Sequence, residues 1–223
     1  MVCMIEIEKK FAITEEQRAA LVARAELVSQ KKIRDIYYDS ADYVLTRKDW
    51  WLRERDGAFE LKTVVVSADR SVDRYEETVD EPGIRQRLGL SGVSDLKTDL
   101  ASAGIVPFVD LVTTRTKYKS GDFLIDMDEL DYGYALIEIE LMVTNEDLVA
   151  AAAERIRAFA TEVGLDQSPV RGKVVEYLRR HRPEHYHALQ DAGVLKGREQ
   201  PYGLSSISKN VERKTNRDRR VCG

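Results

Sequence analysis

Met4-Ile5-Glu6-Ile7-Glu8-Lys9-Lys10-Phe11 is the stretch whose reading decides the fold. Side chains on a β-strand alternate between faces, so Glu6, Glu8 and Lys10 point one way and Ile5, Ile7 and Phe11 the other. Two carboxylates and an ammonium then stand in a row, backed by an apolar strip that also carries Lys9. Taken alone, such a strand is ordinarily half-buried with its charged face in water.

The same alternation recurs down the chain. In Trp50–Arg55, the residues Trp51, Arg53 and Arg55 share a face, with Leu52 and Glu54 opposite and Trp50 set to pack against a helix. Asp56-Gly57 is a two-residue hairpin signal. The return strand Ala58–Val66 puts Glu60 and Lys62 together, with Phe59 and Leu61 behind. Val72–Thr78 aligns Tyr75 with Glu77. Three long strands follow, Phe108–Lys119, Asp122–Leu130 and Tyr134–Val143. They align Thr113, Arg115, Lys117 and Lys119, then Asp126 and Asp128, then Glu138 and Glu140. Gln30–Asp39 brings the number of strands to about eight, enough to close a barrel.

Thr14-Glu15-Glu16-Gln17 has the form of a capping box. It opens a helix expected to run to Val28 on the stripe Leu21, Val22, Ala25 and Val28. Glu81-Pro82 suits a helix start with one short turn of helix over 84–90, and further helices are expected at 94–102 with Ser94 as cap, from Asn145 to near Gly164, over 171–181 and over 183–192. A turn is expected at Ser67–Ser71. The expected architecture is α+β: a closed antiparallel eight-stranded β-barrel or tunnel with helices packed outside. The apolar backs of the strands give the helices a place to pack, and the charged faces are left to line a lumen. That lumen cannot be dry, because unpaired buried charges are too costly.

With 43% hydrophobic and 33% charged residues over 223, the chain reads as soluble and long enough to bury a sizeable core. No apolar run approaches the roughly 20 residues that span a bilayer, and the first residues lack a signal-peptide layout. Cys3 and Cys222 suggest neither a disulfide framework nor a metal site, so a cytoplasmic setting is expected. The net charge of −4 is uneven: from Lys196 onward there are eight Lys/Arg against three Asp/Glu. We therefore divide the chain into a domain over 1–192 and a flexible basic tail over 193–223. No aromatic interleaving accompanies the tail's charges, so no nucleic-acid or membrane partner is expected. A monomer is expected, since no apolar heptad or long hydrophobic edge suggests assembly. His181, His185 and His187 are read as solvated surface, because Pro183 interrupts the spacing that would put the first two on one helical face.

The charges sort by chemistry. Glu6, Glu8, Asp126, Asp128, Glu138 and Glu140 offer hard oxygen ligands suited to Mg²⁺ or Mn²⁺. Lys10, Arg53, Arg55, Lys62, Arg115 and Lys117 suit a polyanion. Cross-strand salt bridges use the same residue types pair by pair. Taken together, a metal and many cations describe a triphosphate site, where catalysis is mostly positioning and charge neutralisation.

Glu6-x-Glu8-x-Lys10 resembles the ExExK signature of the CYTH superfamily, the triphosphate tunnel metalloenzymes. Trp51-Leu52-Arg53-x-Arg55, Glu60-Leu61-Lys62, Arg115, Asp126-x-Asp128 and Glu138-x-Glu140 follow in that family's order, and the resemblance covers residues 1 to about 192. Within the superfamily the chain is most similar to the animal thiamine triphosphatases. Asp35-Ile36-Tyr37-Tyr38-Asp39, Tyr75-x-Glu77, Asp131-Tyr132-Gly133-Tyr134-Ala135, Lys173 and Tyr177-Leu178-x-Arg180-x-Arg182-Pro183 carry that narrower likeness. It implies Mg²⁺-dependent hydrolysis of thiamine triphosphate to thiamine diphosphate and phosphate. The alternatives are a broader inorganic or nucleoside triphosphatase and a non-catalytic polyphosphate-binding module. The resemblance further implies that Glu6, Glu8, Asp126, Glu138 and Glu140 hold metal, with Glu6, Glu8 and Lys62 closest to the reaction. Lys10, Arg53, Arg55, Lys62, Arg115 and Lys173 would hold phosphates, supported by Glu77, and Trp51 would stack on thiamine. Asp128 stays open between metal ligand and partner of a neighbouring cation. Lys62, ringed by cations, is expected to have a lowered pKa and to act as a base.

Overall fold

The alternation read from the sequence builds eight strands in a computed structural model that describes residues 5–65, 73–92 and 94–195. They are β1 (Ile5–Phe11), β2 (Glu26–Asp39), β3 (Trp50–Arg55), β4 (Ala58–Val64), β5 (Asp73–Thr78), β6 (Val106–Ser120), β7 (Phe123–Leu130) and β8 (Tyr134–Val143). The order around the sheet is β1-β5-β4-β3-β2-β6-β7-β8, every pairing is antiparallel, and β8 pairs back onto β1. The ring therefore has no free edge. Six α-helices occur among the described residues: α1 (Glu15–Val22), α2 (Glu81–Leu88), α3 (Leu96–Ser102), α4 (Val149–Glu162), α5 (Lys173–His181) and α6 (Pro183–Asp191).

The apolar backs do receive helices. Ile5, Ile7 and Phe11 of β1, with Ile137, Ile139 and Leu141 of β8, bury against Ala152, Ala153, Ile156 and Ala160 of α4. Small alanines on that helix let its backbone lie close to the strands. Leu52 and Leu61 bury against Ile84 of α2 and Leu96 and Leu100 of α3. A third cluster lies elsewhere: Leu111, Leu130 and Leu136 have the same strand parity as Arg115, Asp128 and Glu138, so they face the lumen. They pack with Val174, Val175 and Leu178 of α5 and Leu189 of α6. The last two helices thus fill the apolar part of the lumen.

Several boundaries differ from the sequence reading. The first helix stops at Val22 instead of reaching Val28, and β2 begins at Glu26. Leu27 and Val28 are 62% and 53% exposed, so no stripe is buried there, and pairing of Glu26 with Lys119 and Leu27 with Tyr118 takes over. Asp95, not Ser94, caps α3, its Oδ1 accepting Thr98 N–H at 3.0 Å. α2 extends to two turns because Asp80 caps it, accepting Gly83 N–H at 2.8 Å. Asn145 makes no side-chain cap; a short 3-10 helix, Glu146–Leu148, precedes α4. α5 starts at Lys173 rather than at 171. The Ser67–Ser71 turn and the tail from Lys196 lie outside the described residues, while Leu195 is buried.

One histidine is also corrected. His181 and His187 are exposed, but His185 is 3% exposed. Its Nε2 lies 2.7 Å from Thr46 Oγ1, which donates to Asp39 Oδ2 at 2.6 Å, and its ring stacks on Tyr43 at 3.9 Å. Because Asp39 takes the hydroxyl proton, His185 must donate, which fixes it as the Nε2–H tautomer. Among the described residues no helix is long and apolar enough to cross a membrane.

Candidate functional site

The closed ring turns one face of every strand inward, and the pairing sets which charges meet. Glu8 stands opposite Glu140 and Lys10 opposite Glu138. Asp126 lies between Lys117 and Glu138 on its neighbouring strands. Trp51 is paired with Lys62, Arg53 with Glu60, and Lys62 with Glu77. A cavity of about 310 Å³ results, and all the site residues read from the sequence line it: Glu6, Glu8, Lys10, Trp51, Arg53, Arg55, Lys62, Glu77, Arg115, Asp126, Glu138, Glu140 and Lys173. Asp128 stands in the wall as an ion-pair partner. Its two oxygens each take an Arg115 nitrogen at 2.6 Å, and Lys173 Nζ is 3.2 Å from Oδ2.

The carboxylates gather in two overlapping sets, Glu6–Glu8–Glu140 and Asp126–Glu138–Glu140, each with ligand oxygens within 4.8 Å of one another and every member buried. Burial, then the charges of Glu6, Asp126, Glu138 and Glu8, push the shared Glu140 up to about 9. A carboxylate that must hold a proton to tolerate its neighbours is one that a divalent cation can take over. Asp126 Oδ1 makes no aligned hydrogen bond, although the Lys117 ammonium lies 2.9 Å away. The donor set is all oxygen and anionic, so these residues fit a hard cation.

The cations face them. Arg115 binds Asp126, Asp128 and Glu138, and Lys10 binds Glu8 and, at 2.7 Å, Asp73. Arg55 donates twice to Asp35, at 2.6 and 2.8 Å. Burial raises the Asp35 carboxyl, but the Arg55 bonds and the Lys173 and Arg53 charges outweigh it and hold it at about 2. Arg53 donates to Glu60 at 2.5 Å, while its buried Nε has no hydrogen-bond partner, a donor that an anion would satisfy. Lys62 departs from expectation. Burial works against its charge, but Glu8, Glu6 and Glu77 more than offset that and hold its pKa well above the ordinary value. Carboxylates, not cations, surround it, with Glu6 and Glu77 each at 2.8 Å.

Some wall residues were given no site role from the sequence, Asp35 and Tyr37 among them although their stretch carries the family likeness. Tyr37 and Asp73 line the cavity, and Asp35 shares Tyr37's face; extending the alternation rule to β2 and to the start of β5 finds all three. Asp49 joins two aromatic neighbours, its Oδ1 accepting from Trp51 Nε1 at 2.8 Å and from the Tyr75 hydroxyl at 3.2 Å. Arg171 and Gly172 reach the lumen from the segment before α5, where no strand period signals them.

A closed antiparallel tunnel with buried carboxylates set against lysines and arginines defines a narrow class of fold and site. Residues 4–169 match the CYTH domain, and the chain belongs to that family. It is 31% identical to the thiamine-triphosphatase of Homo sapiens over 220 residues, spanning 89% of this chain and 94% of that protein. Among solved structures, a Pyrococcus horikoshii OT3 protein superposes with a TM-score of 0.62 at 22% identity, covering 79% of this chain and 99% of its own. A Hippeastrum protein described as having a dominant triphosphatase activity superposes at 0.52 and 18% identity, covering 77% and 94%. The two structural likenesses bear on the fold.

Proposed function

We propose that the protein hydrolyses thiamine triphosphate to thiamine diphosphate and phosphate with Mg²⁺, or Mn²⁺, held by Glu6, Glu8, Asp126, Glu138 and Glu140. The observation that carries this reading is the single cavity in which two carboxylate sets sharing Glu140 face a bank of lysines and arginines. The identity to the human thiamine-triphosphatase supports the choice of substrate. A divalent cation held by these carboxylates would supply Lewis-acid polarisation and charge neutralisation at the phosphates. Lys10, Arg53, Arg55, Arg115 and Lys173 hold and orient the phosphate chain. Lys62, kept charged by Glu6, Glu8 and Glu77, serves as a phosphate-binding cation rather than a base. Trp51, oriented through Asp49, presents an aromatic face to the cationic thiazolium. We place this activity in the cytoplasm and in a monomer.

Phosphate release should fall on the order of 10²- to 10³-fold in Glu6→Ala and in Arg55→Ala while circular dichroism shows a native fold. Normal turnover in both variants overturns the assignment. A second reading, a broader triphosphatase, draws on the cavity's lysines and arginines, which would serve any triphosphate chain. Thiamine triphosphate, inorganic triphosphate and ATP compared with and without Mg²⁺ separate the two. Trp51→Ala should lose only the preference for thiamine.

A further inference from the structure

Arg171 lines the same cavity as the cations above, but it is held differently. Arg55 and Arg115 are locked by short bonds to buried carboxylates. The ion pair of Arg171 is long, Nη1 to Glu176 Oε2 at 3.7 Å, and its Nε donates to the Tyr186 hydroxyl at 3.3 Å. Glu176 is buried and already accepts Arg179 at 2.9 and 2.7 Å and Arg180 at 2.8 Å. Moving Arg171 away therefore leaves no stranded buried carboxylate, the usual reason that such a pair cannot open.

The backbone that carries it is fixed. The Tyr134 hydroxyl donates to the Arg171 carbonyl and the Tyr132 hydroxyl to the Lys173 carbonyl, both at 2.6 Å. The Arg180 guanidinium sits over both rings, at 5.4 and 5.5 Å. Between them, Gly172 lies so close to Lys10 that a Cβ would stand 3.2 Å from Lys10 Cε. The segment is thus pinned against a phosphate-facing lysine while the guanidinium beside it stays loosely engaged. A rigid backbone with a side chain free to re-pair suits ligand capture, since little order has to be gained on binding.

We propose that Arg171 is a further anion-binding residue of the tunnel, which leaves Glu176 to take a phosphate group of the bound triphosphate. This rests on the triphosphate reading of the site and adds to it a contact from outside the barrel strands. Titration with inorganic triphosphate in the presence of Mg²⁺, followed by kinetics on thiamine triphosphate, tests it on the full chain. Arg171→Ala should weaken inorganic triphosphate binding and raise KM by roughly tenfold, with a smaller change in kcat; Arg171→Lys, which keeps a point charge, should recover part of the loss. Arg179→Ala breaks a partner of the same Glu176 and should leave both constants near wild type. Equal losses in Arg179→Ala and Arg171→Ala would mean a structural role and overturn the proposal, as would unchanged binding in Arg171→Ala. If the wild-type protein binds no inorganic triphosphate, the reading of the whole site fails, and this inference with it.

Discussion

Glu140 concentrates the physics of the site in one residue. Its parity with Glu138 is plain in the sequence, but its protonation depends on Glu6 and Glu8 from β1 and Asp126 from β7, brought in by ring closure. An acid raised from 4.5 to about 9 keeps its proton in the folded state while the unfolded chain releases it, so stability falls as pH rises across that window. Glu140→Gln removes the penalty. Without metal, urea unfolding at pH 8 should show the variant more stable than wild type, on the order of 1–3 kcal/mol, while phosphate release collapses. A variant no more stable than wild type would contradict the repulsion assigned here. The Lys62 correction has the same origin: the Glu8, Glu6 and Glu77 that hold it charged arrive from β1 and β5, beyond any reading of its own strand.

At the scale of elements, α6 is tied to the β2–β3 connection through His185, Thr46 and Asp39, with Tyr43 in a left-handed conformation at φ 59° stacking on the imidazole. Nothing local marks this histidine as buried, since Thr46 and Tyr43 lie well over a hundred residues earlier in the chain. Burial, against a smaller opposing pull from Asp39, lowers its pKa from 6.5 to about 4. The unfolded chain therefore binds a proton between those values that the folded one refuses, and stability is lost as pH falls through this range. Denaturant midpoints from pH 7 to 4 should drop more steeply for wild type than for His185→Gln, by on the order of 1–3 kcal/mol. Parallel curves would show that the imidazole is not held neutral.

For the whole molecule the decisive quantity is the charge balance of the lumen. Eight carboxyl groups, Glu140 among them protonated without metal, and eight basic side chains line the cavity. The four or more negative charges of a triphosphate alone would therefore unbalance it, whereas a triphosphate with divalent cations would not. Thermal unfolding should thus respond to Mg²⁺ and inorganic triphosphate together. At ligand a hundredfold above Kd the gain is about 2.7 kcal/mol, a Tm rise of roughly 5–10 °C. Chelator plus triphosphate should give a much smaller rise, and an equal one would refute the balance argument.

The sequence by itself determined the alternation, and with it which side chains share a face, the antiparallel α+β plan and nearly every cavity residue on β1, β3, β4, β7 and β8. Period-two patterning is a local property of an extended chain, so it is legible without knowing the partners. Where β2 begins, that α5 and α6 fill the apolar part of the lumen, that Arg171 reaches it, and which groups hold protons were decided by the tertiary structure alone. Each depends on burial and on charges from strands distant in sequence, because both desolvation and Coulomb energy are set by separation in space and not along the chain.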